Sequence, residues 1–239
     1  MKQLEKAFEE LNISANKETI LKFEKYMNLV LAWNKKVNLT AITDKDDFIK
    51  KHFIDSVLCA GFDEITNAKS LIDIGTGAGF PGVPLALIFP CKQFLLVDSL
   101  GKRIKILNEI LTELEITNAL AIHARAEELA HKKEYREKFD VCVSRAVATL
   151  ATLAEYCLPF VSVGGTFVSY KGPDAAKELK QAEKAIKLLG GTLNDDAKNI
   201  RKISVQDFEL DHNIIIVNKM QKTPSRYPRK AGTPSKEPI

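Results

Sequence analysis

The sequence predicts an α/β fold: a mostly parallel, seven-stranded sheet with helices on both faces, preceded by a helical extension. Two observations carry this reading. From Lys69 onward, short apolar runs alternate with amphipathic stretches, the signature of parallel strands joined by crossover helices. The runs are almost continuously apolar, as strands buried on both faces must be.

The elements follow in order. LEKAFEEL, NKETILKFEKYMNLVLAWNKK and DKDDFIKKHFIDSVLCAGF place apolar residues at spacings of three and four, which predicts helices over residues 1 to about 60. Asn16 and Asp44 stand where N-caps belong. VNLTAI, between the second and third helices, is too short to predict a strand. SLIDIG opens the sheet and a helix through VPLALIF follows. QFLLVD is the second strand, GKRIKILNEILTELE the next helix, NALAIHA the third strand and FDVCVSRA the fourth. A helix around LATLAEYCLPF precedes the fifth strand, GGTFVSYKG. A long helix through DAAKELKQAEKAIKLLG ends at Gly190 and Gly191. The last two strands are expected near ISVQDFEL and NIIIVNK. The resulting division is a helical extension (1–64), a core (65–220) and a basic tail (221–239).

Composition narrows the function. At 239 residues the chain can bury a full core. No apolar run approaches the roughly 20 residues that cross a bilayer, so no membrane partner is expected. MKQLEKAFEELNIS lacks the apolar stretch of a signal peptide, which makes the cytoplasm the expected compartment. Cys59, Cys91, Cys142 and Cys157 are scattered without a C-x-x-C pair, so they are read as small apolar residues and no metal is expected. The net charge is only +4, but Lys219, Lys222, Arg226, Arg229, Lys230 and Lys236 face a single acid, Glu237, at the end of the chain. Such a segment suits a phosphate backbone or merely keeps a terminus soluble. Its composition, TPSRYPRKAGTPSKEPI, predicts a mobile or partner-ordered arm.

The glycine-rich stretch SLIDIGTGAGFPGVPLA follows the first strand and opens a helix, the crevice where doubly wound sheets hold ligands. Asp98 ends the second strand, 23 positions after Gly75, where a carboxylate accepts hydrogen bonds from ribose hydroxyls. Gly75, Gly77 and Gly79 alternate strictly, unlike the G-x-G-x-x-G of NAD sites, and Asp73 precedes them. A carboxylate there disfavours a pyrophosphate and favours a cationic amino-acid end. S-adenosylmethionine has that ammonium, a ribose and no phosphate. The arrangement resembles the first motif of class I methyltransferases; NAD binding and a ligand-free turn are the alternatives. HARAEEL, after the third strand, offers Ala126 and Glu127 to an adenine, although Glu127 also suits a helix start.

At the end of the fourth strand stands Ser144-Arg145, with no N-P-P-Y stretch and no cysteine placed as a nucleophile. Guanine N7 carries an in-plane lone pair and no proton, so its methylation needs positioning and no general base. Arg145 cannot act as a base, but it can clamp a guanine O6, a phosphate or a carboxylate. A structural ion pair is the other reading.

The chain resembles the bacterial small-subunit rRNA guanine-N7 methyltransferases (the RsmG, or glucose-inhibited division protein B, family). The resemblance rests on WNKKVNLTAI (33–42), KHFIDSV (51–57), LIDIGTGAGFPGVPLA (71–86), LLVDSLGKRIKIL (95–107), FDVCVSRA (139–146), YKG (170–172) and RYPRKAGTPSKEPI (226–239). It implies a class I (Rossmann-like) methyltransferase fold. It also implies methyl transfer from S-adenosylmethionine to a guanine N7 in 16S rRNA, near the decoding site. It places the cofactor on Gly75, Gly77, Phe80, Ala126, Glu127 and Arg145, with Asp98 on the ribose, and offers no catalytic base. The expected partner is 16S rRNA or the small ribosomal subunit, and a monomer is the expected state. Candidate RNA contacts are Lys102, Arg103, Lys171, Arg201 and, in the tail, Arg226, Arg229 and Lys230. His52 and Asp55 either line the site or hold the helical extension to the sheet.

Overall fold

The computed structural model describes residues 1–145, 148–193, 199–206, 208 and 213–239. The expected helical extension is present. It begins with α1 (Lys2–Glu10) and α2 (Lys17–Asn34), the latter capped by Asn16, whose side chain accepts from Thr19 N at 2.8 Å. The side chain of Asp44 caps α3 (Lys45–Phe48), which runs on through a π-helical turn (Ile49–Ile54) into α4 (Asp55–Val57). VNLTAI is a loop because Asn34 occupies its backbone: Oδ1 accepts from Leu39 N and Thr40 N, and Nδ2 donates to Thr40 O. A short α5 (Asp63–Thr66) leads into the sheet.

The sheet is built from β1 (Ser70–Ile74), β2 (Gln93–Asp98), β3 (Ala119–His123), β4 (Phe139–Ser144), β5 (Val161–Lys171), β6 (Gly191–Thr192), β7 (Ile200–Lys202) and β8 (Asn213–Lys219). Its order is β3-β2-β1-β4-β5-β8-β6, with β7 also paired to β8. The first five strands are parallel and β8 is antiparallel to β5. The strand order reverses between β1 and β4, so a crevice opens at their carboxyl ends. One expectation shifts. The strand expected at 203–210 lies earlier, at β7, where Ile200 pairs with Ile215; Asp207 and residues 209–210 fall outside the described residues. β6 and β7 share one edge of β8, so among the described residues the sheet has eight strands where seven were expected.

Strand alternation divides the core in two. Leu71, Val141, Val143 and Val168 face α6 (Gly82–Ile88), α7 (Gly101–Glu113) and the helical extension. Ile72, Ile74, Cys142 and Phe167 face α8 (Ala126–Leu129), α9 (Leu150–Cys157) and α10 (Ala175–Leu188). Cys59, Cys142 and Cys157 are buried as small apolar residues, whereas Cys91, between α6 and β2, is exposed. Among the described residues no helix is long and apolar enough to cross a membrane.

The basic tail is where the fold departs most from expectation. Tyr227 is buried in the second core, and a final helix, α11 (Thr233–Lys236), packs on α9. Lys219 is fully buried, with its ammonium on the carbonyls of Leu158 and Leu189 and the hydroxyl of Thr223. The composition suggested mobility because the partners of these residues lie far away in sequence.

The helical extension shares the first core through edge-to-face rings, Phe8 on Phe23 and Phe23 on Phe53. It therefore unfolds with the sheet. Fluorescence of the single tryptophan, Trp33 in α2, and far-ultraviolet circular dichroism will give coincident denaturation curves. Phe53→Ala will shift both by about 3–5 kcal/mol.

Candidate functional site

The three alternating glycines form the loop after β1 with φ of 77°, 61° and 109° at Gly75, Gly77 and Gly79. Gly79 has no room for a side chain: a Cβ there would lie 2.6 Å from both Tyr26 Oη and Val83 Cγ2. Tyr26 reaches in from α2 and donates to Ala78 O at 2.7 Å, so the helical extension pins the loop.

Two buried carboxylates hold the loop from below. Asp73 Oδ2 accepts from Thr76 Oγ1 at 2.7 Å and from Gly82 N, the first residue of α6, at 2.9 Å. Among the described residues Asp73 Oδ1 is buried without a hydrogen-bond partner. Burial pushes the Asp73 carboxyl up to about 7, against the opposing hydrogen bonds from Thr76 and Gly82. Asp98 Oδ2 accepts from Gly77 N at 2.9 Å and Oδ1 from Leu100 N at 2.8 Å, which ties the glycine loop to the turn after β2. Arg103 approaches Asp98 at 3.9 Å.

A cavity of about 220 Å³ lies at the carboxyl ends of β1 and β2, lined by Gly75, Asp98, Arg125, Ala126, Glu127, Ala148, Leu153 and Tyr156 among others. The expected ribose acceptor and the expected adenine residues thus meet in one place. A larger groove, about 750 Å³, runs along Leu29, Trp33 and Asn108 and contains none of the expected site residues. The glycine loop and Asp98 favour the smaller cavity as the site. Sequence reasoning missed Leu153 and Tyr156, which lie on α9 and reach the cavity only through the fold.

Arg145 lies on the other side of the glycine loop. Its Nη1 donates to Asp55 Oδ2 at 2.7 Å and to Lys51 O at 2.8 Å, and Nη2 meets His52 Nδ1 at 3.1 Å. The guanidinium also stands 5.3 Å from the Phe80 ring, on which His52 stacks at 4.4 Å and 6°. Asp55 is 1 % exposed, so the ion pair is real structure. Of the two readings, the contacts of His52 and Asp55 match the second: they fasten the helical extension to the side chain at the end of β4 and do not line the cavity.

Three cations expected to face RNA have internal partners instead. Lys171 is buried, paired with Glu178 at 2.8 Å and donating to Ala148 O, so it braces the cavity wall from behind. Arg201 makes a two-point contact with Glu64 at 2.6 and 2.9 Å over the Phe62 ring, which joins β7 to α5. Arg229 grips Glu155 on α9, with Nη2 to Oε2 at 2.7 Å. Lys102, Arg226 and Lys230 are exposed and Arg103 is half-buried. Among the described residues no cluster of metal-ligating side chains occurs.

Burial, and then the Arg145 charge, depress the His52 imidazole from 6.5 to about 3. A group held neutral in the fold but protonated in the unfolded chain makes stability fall as pH drops below about 6.5, until about 3. Proton NMR will show the His52 ring unprotonated at pH 5, and His52→Asn will flatten the acid limb of the stability profile.

The family of rRNA small subunit methyltransferase G, GidB, matches residues 19–202. A relative from Clostridium novyi (strain NT), named "Ribosomal RNA small subunit methyltransferase G", is 48% identical over 233 residues, which is 98% of this chain and 94% of the relative. One of the same name from Desulforamulus reducens is 47% identical over 236 residues, 99% of this chain and 97% of that one. Among solved structures, a ribosomal protein L11 methylase from Lactobacillus delbrueckii subsp. bulgaricus aligns with a TM-score of 0.51 at 12% identity. That alignment covers 72% of this chain and 79% of that one, a likeness of fold. Similarity that runs along nearly the whole chain, on a doubly wound sheet with a glycine loop at its switch point, means that the chain belongs to the rRNA small subunit methyltransferase G family.

Proposed function

We propose that the chain transfers a methyl group from S-adenosylmethionine to N7 of a guanine in 16S rRNA, in the loop near the decoding site, without a general base. The observation that carries the cofactor reading is Asp98, which lines one cavity together with Gly75 at the start of the glycine loop and with Ala126 and Glu127. The residues fit the cofactor. A carboxylate has about four lone-pair sites, and the N–H groups of Gly77 and Leu100 use two at Asp98, leaving acceptors for ribose hydroxyls. Asp73 Oδ1 is a buried acceptor lacking a donor, suited to an ammonium group directly or through water. Gly77, with open space where a Cβ would stand, lets backbone approach the ligand without a side chain in the way, whereas Gly79 is required by the packing of Tyr26 and Val83.

Bound there, S-adenosylmethionine supplies an electrophilic methyl group on a sulfonium. The protein's task is then alignment. Phe80 and Arg145 form the wall between the cavity loop and the helical extension, and Asp55 with the Lys51 carbonyl fixes the plane of the guanidinium. An arginine so held can make a two-point contact to a guanine edge or a phosphate. The neutral His52 accepts from Arg145 at Nδ1, so its other nitrogen donates to Thr40 Oγ1 at 2.7 Å. Both imidazole nitrogens are thereby occupied, in keeping with chemistry that moves no proton. Lys102, Arg103, Arg226 and Lys230 are the candidates for contact with RNA phosphates.

Labelled cofactor offered to small subunits, intact ribosomes and separate rRNA fragments will deliver label to 16S rRNA, and mapping will place it on a guanine N7. Label confined to small molecules would overturn the substrate, and label on another atom the chemistry. Arg145→Gln paired with Asp55→Asn, which strands no buried charge, will lower methyl transfer about 100-fold while the unfolding midpoint stays near that of the wild type. Asp73 is raised to about 7, so below that pH the free protein holds its carboxyl protonated. Binding an ammonium there expels that proton. At pH 6, calorimetric heats of cofactor binding will differ between buffers of different ionisation enthalpy, and Asp73→Asn will abolish the difference.

A further inference from the structure

The C-terminal segment docks against the outside of the cavity wall. Its path is fastened at several points. Arg136 donates to the carbonyls of Thr223, Pro224 and Tyr227, at 2.9, 3.2 and 2.9 Å. Arg229 makes a two-point ion pair with Glu155, which is only 1 % exposed, and its backbone N–H donates to the same carboxylate at 2.7 Å. Beyond this anchor the chain meets the residues that line the cavity. Gly232 N donates to Glu127 Oε1 at 2.9 Å. Pro234 O accepts from Thr152 on α9 at 3.0 Å. Glu127 and Tyr156 both line the cavity, as does Leu153 between Thr152 and Glu155.

Glu127 stands in the first turn of a four-residue helix, too short to fix a side chain by its own packing. The Gly232 N–H supplies what the helix lacks. α9 carries one charge, Glu155, on an otherwise apolar stretch, and that charge is tolerable only because Arg229 meets it. We infer that the C-terminal segment is a built part of the nucleoside wall, in which Gly232 and Arg229 are positioning residues that hold Glu127 and helix α9 for the cofactor. The inference rests on reading this cavity as the nucleoside site. It assigns the docking of the segment, through Lys219 and Arg229, to the cofactor, while Lys222, Arg226, Lys230 and Lys236 stay exposed.

The test compares wild type, Gly232→Pro, the double variant Glu155→Gln with Arg229→Gln, and Asp98→Ala. Gly232→Pro removes the N–H and, because proline cannot adopt the φ of 84° that Gly232 holds, also displaces the segment from Glu127. The double variant removes the anchor without stranding a buried charge. Calorimetry gives the Kd for S-adenosylmethionine, and steady-state transfer to small subunits gives kcat and both KM values. Gly232→Pro and the double variant will raise the cofactor Kd and KM roughly tenfold, the worth of one hydrogen bond to a charged group. Their kcat at saturating cofactor, and their KM for the subunit, will stay within about twofold. Unchanged cofactor binding in both, or a rise confined to the subunit KM, would overturn the inference. Asp98→Ala separates it from the reading beneath it. Weak binding in Asp98→Ala alone would remove only the role of the C-terminal segment, whereas normal binding in Asp98→Ala would remove the nucleoside site and this inference with it.

Discussion

Burial of the Asp73 carboxylate against the first N–H of α6 joins the end of β1 to the start of the helix that covers it. That junction sets the height of the glycine loop above the sheet. A Cβ at Gly82 would lie 2.8 Å from Asp73 Oδ2 and 2.2 Å from Leu96 Cδ2, so the helix could not sit so low with any larger residue. With the helix seated, Thr76 reaches back to the same carboxylate oxygen and Gly77 reaches across to Asp98. Two acids on neighbouring strands thus shape one loop, one from beneath and one from the side. Desolvation is the cost, and the raised Asp73 carboxyl records it.

The helical extension completes the site. Tyr26 from α2 holds Ala78, while His52 and Asp55 hold Phe80 and Arg145. Rings from Phe48, Phe53, Tyr26 and His52 surround Phe80, so the loop is gripped from the side away from the cavity. A sheet of this kind supplies a cofactor crevice on its own. What it does not supply is a rigid opposite bank, and here residues 45–57 provide one. The π-helical turn within them places His52 and Asp55 together on Arg145.

The parallel strands were legible because burial on both faces leaves almost no polar residue inside them. That Gly75, Asp98, Ala126 and Glu127 gather around one crevice was legible because each lies at or just after a strand end. Legibility failed where partners are distant. Arg201 reads as a surface cation until Glu64 and Phe62 are brought to it from the helical extension. The C-terminal segment reads as a mobile arm, because residue type alone does not reveal that Arg229 has a buried acid waiting. One signal was present: LATLAEYCLPF is apolar apart from Glu155, and a lone carboxylate on a buried helix calls for a cation from somewhere. Tyr227 and Ile239, interleaved with the basic residues, gave a second hint of docking.

Three of the four thiols are shut inside the two cores, and burial pushes Cys59 up to about 12. The exception, Cys91, lies on the connection that enters β2 at its amino end, across the sheet from the crevice. A maleimide dye or spin label applied to the native protein will therefore attach at one address, at the opposite end of β2 from the crevice. The molecule carries its own handle, without any engineered substitution.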